Sequence, residues 1–315
     1  MNTIAQYPLY LANKAVDTSQ RLDVDDKYAQ QVFAQVSLAD ESLVDKAIAA
    51  AVQAESAMAK LKPFQKQAIL LHCVEQFKKR REELTEVLIL EGGKPRKAAQ
   101  GEVERLINTF QLAADATTQL AQGDVMPLAV TPASAHYRGM VQHVPIGALA
   151  LISPFNFPLN LTAHKIAPAI VAGCPFVLKP ASLTPISALI IGEILAQTDL
   201  PEGAFSILPS TRDAADQLVT DDRLKLLSFT GSDQVGWDMK ARAGHKKVTL
   251  ELGGNAAVMI EPDTVINDAL IDRLITGGYA HAGQVCISVQ RVLIHQDIYA
   301  ELKNKLVEKL RNIKA

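Results

Sequence analysis

ALALISPFNFPLNLTAHKIAPAIVAGCPFVLK, residues 148–179, decides the fold. The run Ala148–Ile152 is short, apolar and bounded by turn residues, as a buried strand is. Leu161–Ala172 carries helix-forming residues up to a glycine stop, and Phe176–Leu178 is apolar again. A second helical stretch, Pro185–Gln197, follows. Strand, helix, strand, helix is the grammar of a parallel sheet, because parallel neighbours need a crossover connection.

The alternation continues on the C-terminal side: a strand at Ala204–Leu208, a helix around Ala214–Val219, a strand at Lys225–Phe229, a helix from Ser232 and a strand at Val248–Leu252. The expected class is α/β, a doubly wound parallel sheet with helices on both faces. From Glu41 to Ala121 the pattern is helical, with Leu43, Val44, Ala47, Ile48, Ala51 and Val52 at helix spacing, so a helical layer precedes the sheet. Gly92-Gly93-Lys94-Pro95 should stop one helix, and Arg96–Leu120 forms the next. Between them and the sheet, Tyr137–Val144 alternates polar and apolar residues as one strand of a hairpin. Beyond Gly254 a further α/β unit begins, with strands at Ala256–Ile260 and Val289–His295 and helices at Asn267–Tyr279 and Asp297–Ile313.

Composition narrows the function classes. The chain has 315 residues, 48% hydrophobic and 21% charged, which is ordinary for a globular protein. At roughly 150 residues per domain the length suggests two domains. A formal net charge of −2 gives no field to attract nucleic acid or anionic lipid, and the runs Lys78–Arg81 and Lys246-Lys247 read as solvated faces. No apolar run approaches the roughly 18 residues of a membrane span, and no basic segment leads into a signal-like apolar stretch. Three scattered cysteines, Cys73, Cys174 and Cys286, suit a reducing compartment and point to a cytoplasmic location. His72-Cys73 and the pair His281 and Cys286 lack further ligands at structural-zinc spacing, so no metal is expected.

Three functional groups stand out. Cys286 lies in Gly283-Gln284-Val285-Cys286-Ile287, Glu251 opens Glu251-Leu252-Gly253-Gly254-Asn255, and Asn156 sits in Pro154-Phe155-Asn156-Phe157-Pro158. A thiolate attacks a carbonyl carbon, a carboxamide holds the resulting oxyanion, and a carboxylate activates water to release an acyl group. Together they suggest acyl chemistry at a carbonyl. Cys73 and Cys174 read as structural thiols. No Gly-x-Gly-x-x-Gly occurs, so the usual dinucleotide fingerprint is missing.

These three segments, with Val144–Gly147, Leu178-Lys179-Pro180-Ala181 and Ser228-Phe229-Thr230-Gly231-Ser232, fall in the order that the aldehyde dehydrogenase superfamily shows, and the chain resembles that superfamily over essentially its whole length. The resemblance implies oxidation of an aldehyde to a carboxylic acid with NAD or NADP through a cysteine thiohemiacetal and thioester. It implies Cys286 as nucleophile, Asn156 with the Cys286 backbone N–H as oxyanion hole, and Glu251 as general base for deacylation. It further implies that Ile152, Ser153, Pro154 and Phe155 line the cofactor cleft, that Lys179 meets the adenosine ribose, and that Gly231 and Ser232, with Gly236 one turn on, open a helix towards the pyrophosphate. Leu252 and Gly253 complete the implied cofactor set. Ser182 stands where NAD-preferring members often carry an acidic residue, so NADP should be accepted, since serine does not repel a 2′-phosphate. Ser210 replaces a frequent glycine, which weighs against close backbone approach to the cofactor there.

The implied organisation is a cofactor domain over 1–122 and 146–254, an oligomerisation hairpin over 123–145, and the start of a catalytic domain over 255–315. Relatives continue into a Glu-x-Phe-Gly-Pro segment, so the chain is expected to lack their C-terminal part. Family members are homodimers or homotetramers acting on small-molecule aldehydes. Two alternatives stay open: a catalytically silent nucleotide-binding or assembly module, and an acylating aldehyde dehydrogenase, against which Glu251 weighs.

Overall fold

The computed structural model describes residues 4–313. It divides into two compact units: a larger one through Thr230 together with Gln234–Leu250, and a smaller one made of Gly231–Asp233 and the chain from Glu251 onward.

The larger unit is built on a seven-stranded sheet. Its strands, across the sheet, are Lys247–Glu251, Leu226–Thr230, Leu149–Ile152, Phe176–Lys179, Phe205–Ile207, Leu9–Leu11 and Lys14–Val16. The central pairs are parallel, with Leu149 opposite Phe176, Phe176 opposite Phe205 and Leu226 opposite Leu149. The chain therefore runs outward from Leu149–Ile152 to Phe205–Ile207, then returns to place Leu226–Thr230 on the other side of its starting strand. Right-handed crossovers then require the returning helix, Arg212–Thr220, to lie on the opposite face from Pro158–Ala172 and Ile186–Leu195. Helix Glu41–Lys60 packs with Arg212–Thr220, whereas Pro63–Lys79 and Arg96–Gln122 pack on Pro158–Ala172. Parallel strands covered on both sides must be apolar on both sides, and all four residues of Leu149–Ile152 are buried.

The helical layer consists of four helices, Glu41–Lys60, Pro63–Lys79, Arg81–Gly92 and Arg96–Gln122. Gly93 ends the third in the left-handed conformation, φ 63°, which glycine adopts at little cost. The hairpin pairs Asp124–Met126 with Gly139–Val141, antiparallel, shorter than the expected Tyr137–Val144. The described residues before residue 40, for which the sequence indicated no elements, supply five strands. Leu9–Leu11 and Lys14–Val16 form an antiparallel edge hairpin, turning at Ala12 and Asn13 with positive φ. The Asn13 carboxamide donates to the Leu200 and Pro201 carbonyls and accepts from the Phe205 N–H, tying this turn to the sheet. Ala5–Tyr7, Gln31–Ser37 and Arg21–Asp26 form a separate three-stranded sheet.

In the smaller unit, strands Ala256–Ile260 and Val289–Ile294 pair in parallel, with helices Asp268–Tyr279 and Gln296–Leu310. Ile260, Ile271, Leu274 and Leu302 form its core. The Asn267 side chain caps the first helix by accepting from the Leu270 N–H at 2.9 Å.

Candidate functional site

In the larger unit the strand order reverses between Leu149–Ile152 and Leu226–Thr230. In open α/β sheets ligands bind outside the carboxyl ends of the strands at such a switch point. The loop Ser153–Phe157 leaves the first of these strands at that end. Ile152 and Ser153 are buried, Phe155 is exposed, and Pro154 and Asn156 are intermediate. Lys179 ends the neighbouring strand opposite Ile152, and the Ser153 N–H donates to its carbonyl at 3.1 Å. The Thr184 hydroxyl donates to the Phe155 carbonyl at 3.4 Å, so the loops carrying Asn156 and Ser182 stand side by side. The Asn156 carboxamide oxygen accepts from the Phe157 N–H at 3.1 Å, which fixes one end of the amide.

Two glutamates of the helical layer hold these loops, and the sequence reading passed over both. Glu102 is buried and accepts from the Leu159 and Asn160 N–H groups at 3.0 and 3.2 Å, satisfying the amino end of the helix that follows the Asn156 loop. Its other oxygen pairs with the Lys94 ammonium, also buried. Burial pushes Lys94 down from its usual value, against the upward pull of Glu102. Lys94 Nζ in turn lies 3.9 Å from the centre of the Phe157 ring, and Arg105 lies 5.8 Å from it. At the far end of the same helix, Lys66 donates to the Val171 carbonyl at 3.0 Å, so a negative and a positive charge sit at the dipole ends each suits. Glu91 repeats the device on Ile186–Leu195, accepting from the Ile186 and Ser187 N–H groups at 2.8 and 2.9 Å and from the Ser187 hydroxyl. Burial drives its carboxyl up to about 7. A glutamate inside an amphipathic helix with a partner more than fifty residues away leaves no local signal in the sequence.

In the smaller unit Cys286 lies exposed in a turn, whereas Cys73 and Cys174, in the larger unit, are buried. His281, Ala282 and Gly283, just before it, have φ of 51°, 54° and 76°. Two of these are not glycine, and the left-handed region costs roughly 1–2 kcal/mol for each such residue. Glu251 ends its strand exposed. Three residues on, the Gly254 backbone lies against the Cys286 carbonyl: a Cβ there would stand 2.5 Å from that oxygen. Only glycine allows this approach, so the segment opened by Glu251 and the turn bearing Cys286 meet at their backbones. Leu252 is intermediate, and Gly253 is exposed with open space around it. The Gly231 N–H donates to the Glu251 carbonyl at 3.0 Å, so donors for an anion begin with the helix Asp233–Arg242, in which Gly236 is buried. Ser232 precedes that helix. Asn156 belongs to the larger unit and Cys286 to the smaller.

Among the described residues no three His, Cys, Asp or Glu side chains gather to hold a metal ion, and no helix is long and apolar enough to cross a membrane. The donor set does fit a dinucleotide. Lys179 has its ammonium charge at a strand's carboxyl end, Ser210 has a buried hydroxyl without a partner, and helix amino ends follow the strands.

A doubly wound sheet, and a separate unit presenting an exposed thiol in a turn packed on the segment that Glu251 opens, define the class of α/β fold to which the chain is compared. The chain belongs to the aldehyde dehydrogenase family, whose model matches residues 15–315. It is 36% identical over 316 residues to 3-sulfolactaldehyde dehydrogenase of Priestia aryabhattai, covering 99% of this chain and 65% of that relative. It is also 36% identical over 300 residues to lactaldehyde dehydrogenase of Methanococcus aeolicus, covering 93% and 62%. Among solved structures, aldehyde dehydrogenase 21 from Physcomitrella patens in complex with the reaction product succinate superposes with a TM-score of 0.95 at 48% identity. That match covers 99% of this chain and 65% of that one. Glyceraldehyde-3-phosphate dehydrogenase GapN from Methanocaldococcus jannaschii complexed with NADP gives 0.87 at 32% identity, covering 94% and 65%. The chain thus spans about 65% of the length of its relatives. The GapN structure holds NADP, and the similar betaine aldehyde dehydrogenase from Staphylococcus aureus holds NAD+.

Proposed function

We propose that this chain carries the cofactor-binding and nucleophile-bearing machinery of an aldehyde dehydrogenase that oxidises a small aldehyde to its carboxylic acid. The Cys286 thiolate adds to the aldehyde carbon and forms a thiohemiacetal. The Asn156 carboxamide and the Cys286 N–H donate to the oxyanion. Bound NAD(P) supplies the two-electron acceptor that turns the thiohemiacetal into a thioester. Glu251 then takes a proton from water, whose oxygen attacks the thioester carbon; the acid departs and the thiol is restored. Ile152, Ser153, Pro154 and Phe155 would shape the cofactor cleft, with Lys179 at the adenosine ribose. Ser182, Gly231, Ser232, Gly236, Leu252 and Gly253 complete the cofactor set. The observation that carries this reading is the close packing of Gly254 on the Cys286 carbonyl, which joins the Glu251 segment to the exposed thiol.

The compounds named for these relatives, 3-sulfolactaldehyde, lactaldehyde, glyceraldehyde-3-phosphate and succinate, are all short, and all but lactaldehyde carry an anionic group. Arg105, exposed beside Phe157, supplies a cation near Asn156. A short anionic aldehyde is the substrate class this favours. The hairpin Asp124–Val141, with Val125 and Met140 exposed, favours self-association, and three free thiols favour the cytoplasm.

Incubation with succinic semialdehyde and NADP, followed by mass spectrometry, tests the proposal. Free acid is expected, with none from Cys286→Ala and an acyl-enzyme mass building up on Glu251→Gln. Full turnover by Cys286→Ala refutes the assignment. Transfer to coenzyme A in place of hydrolysis supports the acylating alternative, and no product at all supports a silent nucleotide-binding module.

A further inference from the structure

In the larger unit a cavity of about 410 Å³ opens between the helix Pro63–Lys79 and the end of the helix Ile186–Leu195. Small-molecule sites occupy roughly 300–1,000 Å³, so the volume suits a ligand of modest size. Phe64, Ala68 and His72 recur at every fourth residue and therefore share one face of the first helix. Leu61, which ends the preceding helix, and the buried Ile69 supply apolar walls. The Phe64 ring is 70% exposed, a flat apolar surface that the chain itself leaves uncovered. None of these residues belongs to the cofactor or catalytic sets.

The facing wall, Gln197 to Asp199, follows the second helix directly. The carboxyl end of a helix carries a partial negative charge, and the last turn of this one holds no basic residue to offset it. The exposed Asp199 carboxylate adds charge of the same sign. On the first helix the His72 Nε2 is buried and has no hydrogen-bond partner within the chain. A nitrogen so placed costs free energy while it stays unpaired, and a polar group of a ligand recovers it.

We propose that this cavity is a binding site for a small protonated amine that carries a flat apolar body. The body lies on the Phe64 ring, between Leu61 and Ile69, where aromatic stacking adds to apolar burial. The ammonium meets the Asp199 carboxylate and the helix carboxyl end, and the His72 imidazole takes the remaining hydrogen bond. Charge selects the class: an anion of the same shape faces two repulsive groups, and a neutral molecule gains little from either. The site uses no residue of the aldehyde chemistry, so it stands or falls apart from that reading.

Isothermal titration of the full chain with tryptamine, tryptophol and indole-3-acetate tests this, since the three carry an ammonium, a hydroxyl and a carboxylate on one indole. Tryptamine should bind one site per chain with a Kd below about 1 mM, about three- to fivefold more tightly than tryptophol, with indole-3-acetate weakest. Saturating NADP should leave its binding unchanged. Asp199→Asn should bring tryptamine down to the level of tryptophol, the loss expected for a partly exposed ion pair. Phe64→Ala and His72→Leu should each weaken tryptamine by about fivefold. Asp199 and Phe64 are exposed, so their variants keep the fold. Indole-3-acetate binding as tightly as tryptamine, tryptamine binding unchanged in both Asp199→Asn and Phe64→Ala, competition by NADP, or no tryptamine binding up to about 10 mM overturns the proposal.

Discussion

Glu102 offers the sharpest test of how the Asn156 loop is held. Its carboxylate and the Lys94 ammonium are buried, with side chains 1% and 2% exposed, and the same carboxylate accepts from two helix N–H groups. Removing one member of a buried pair strands the other, at about 3–5 kcal/mol. Losing the acceptor at a helix amino end adds about 1–2 kcal/mol. Glu102→Ala should therefore approach the whole stability of an ordinary domain, about 5–15 kcal/mol, and Glu102→Gln is the safer variant because it keeps an acceptor for the helix. For Glu102→Gln we expect a loss of about 3 kcal/mol. Pairing it with Lys94→Met, which removes the stranded charge, should recover about 2 kcal/mol as a coupling energy. Trp237, the single tryptophan, lies in the same unit and reports urea unfolding by its fluorescence. A loss below about 1 kcal/mol for Glu102→Gln, with no coupling in the double variant, would refute the view that this pair anchors the loop.

Glu91 predicts a pH dependence. Its folded-state carboxyl titrates at about 7 against 4.5 for the free group, so between those values the folded chain holds a proton that the unfolded chain has lost. Stability must then fall as pH rises from about 4.5 through about 7, by up to about 3 kcal/mol, and level off above. Urea midpoints at pH 5 and pH 8 measure it, and Glu91→Gln should remove this part of the slope; an unchanged slope in that variant excludes Glu91 as its source. Native titration with a thiol reagent should find about one reactive group, Cys286, since Cys73 and Cys174 are buried, and all three after denaturation; reaction persisting in Cys286→Ser would contradict this. Gly254→Ala should displace the Cys286 turn at a cost of about 1–3 kcal/mol, because its Cβ would meet the carbonyl. Amide exchange across residues 284–290 should rise, and wild-type exchange in that variant would show the contact to be unimportant.

What the sequence disclosed and what it withheld follow one physical division. The sheet from Ala148 onward was legible because its central strands Leu149–Ile152 and Phe205–Ile207 are buried throughout, and helix stops punctuate the chain, as at Gly173, whose φ of 74° suits glycine. The Cys286, Glu251 and Asn156 segments stand out in the sequence because the groups proposed for chemistry are concentrated in a few adjacent residues. The five strands before residue 40 were not, since three of them have three residues each and one, Leu9–Leu11, gains its partner Phe205–Ile207 from about two hundred residues away. No local pattern encodes such a pairing; it becomes visible only when the Asn13 carboxamide reaches the Leu200–Phe205 segment. Glu91 and Glu102 were hidden for the same reason, since a glutamate in a helix normally marks the solvent side. Both instead turn inward to the amino ends of sheet helices, accepting from N–H groups that begin 57 and 95 residues later. The residues proposed to carry out chemistry are thus more readable than those that support their loops, because bond-making needs a particular atom in a short motif, whereas support needs only that a distant element arrive at the right depth.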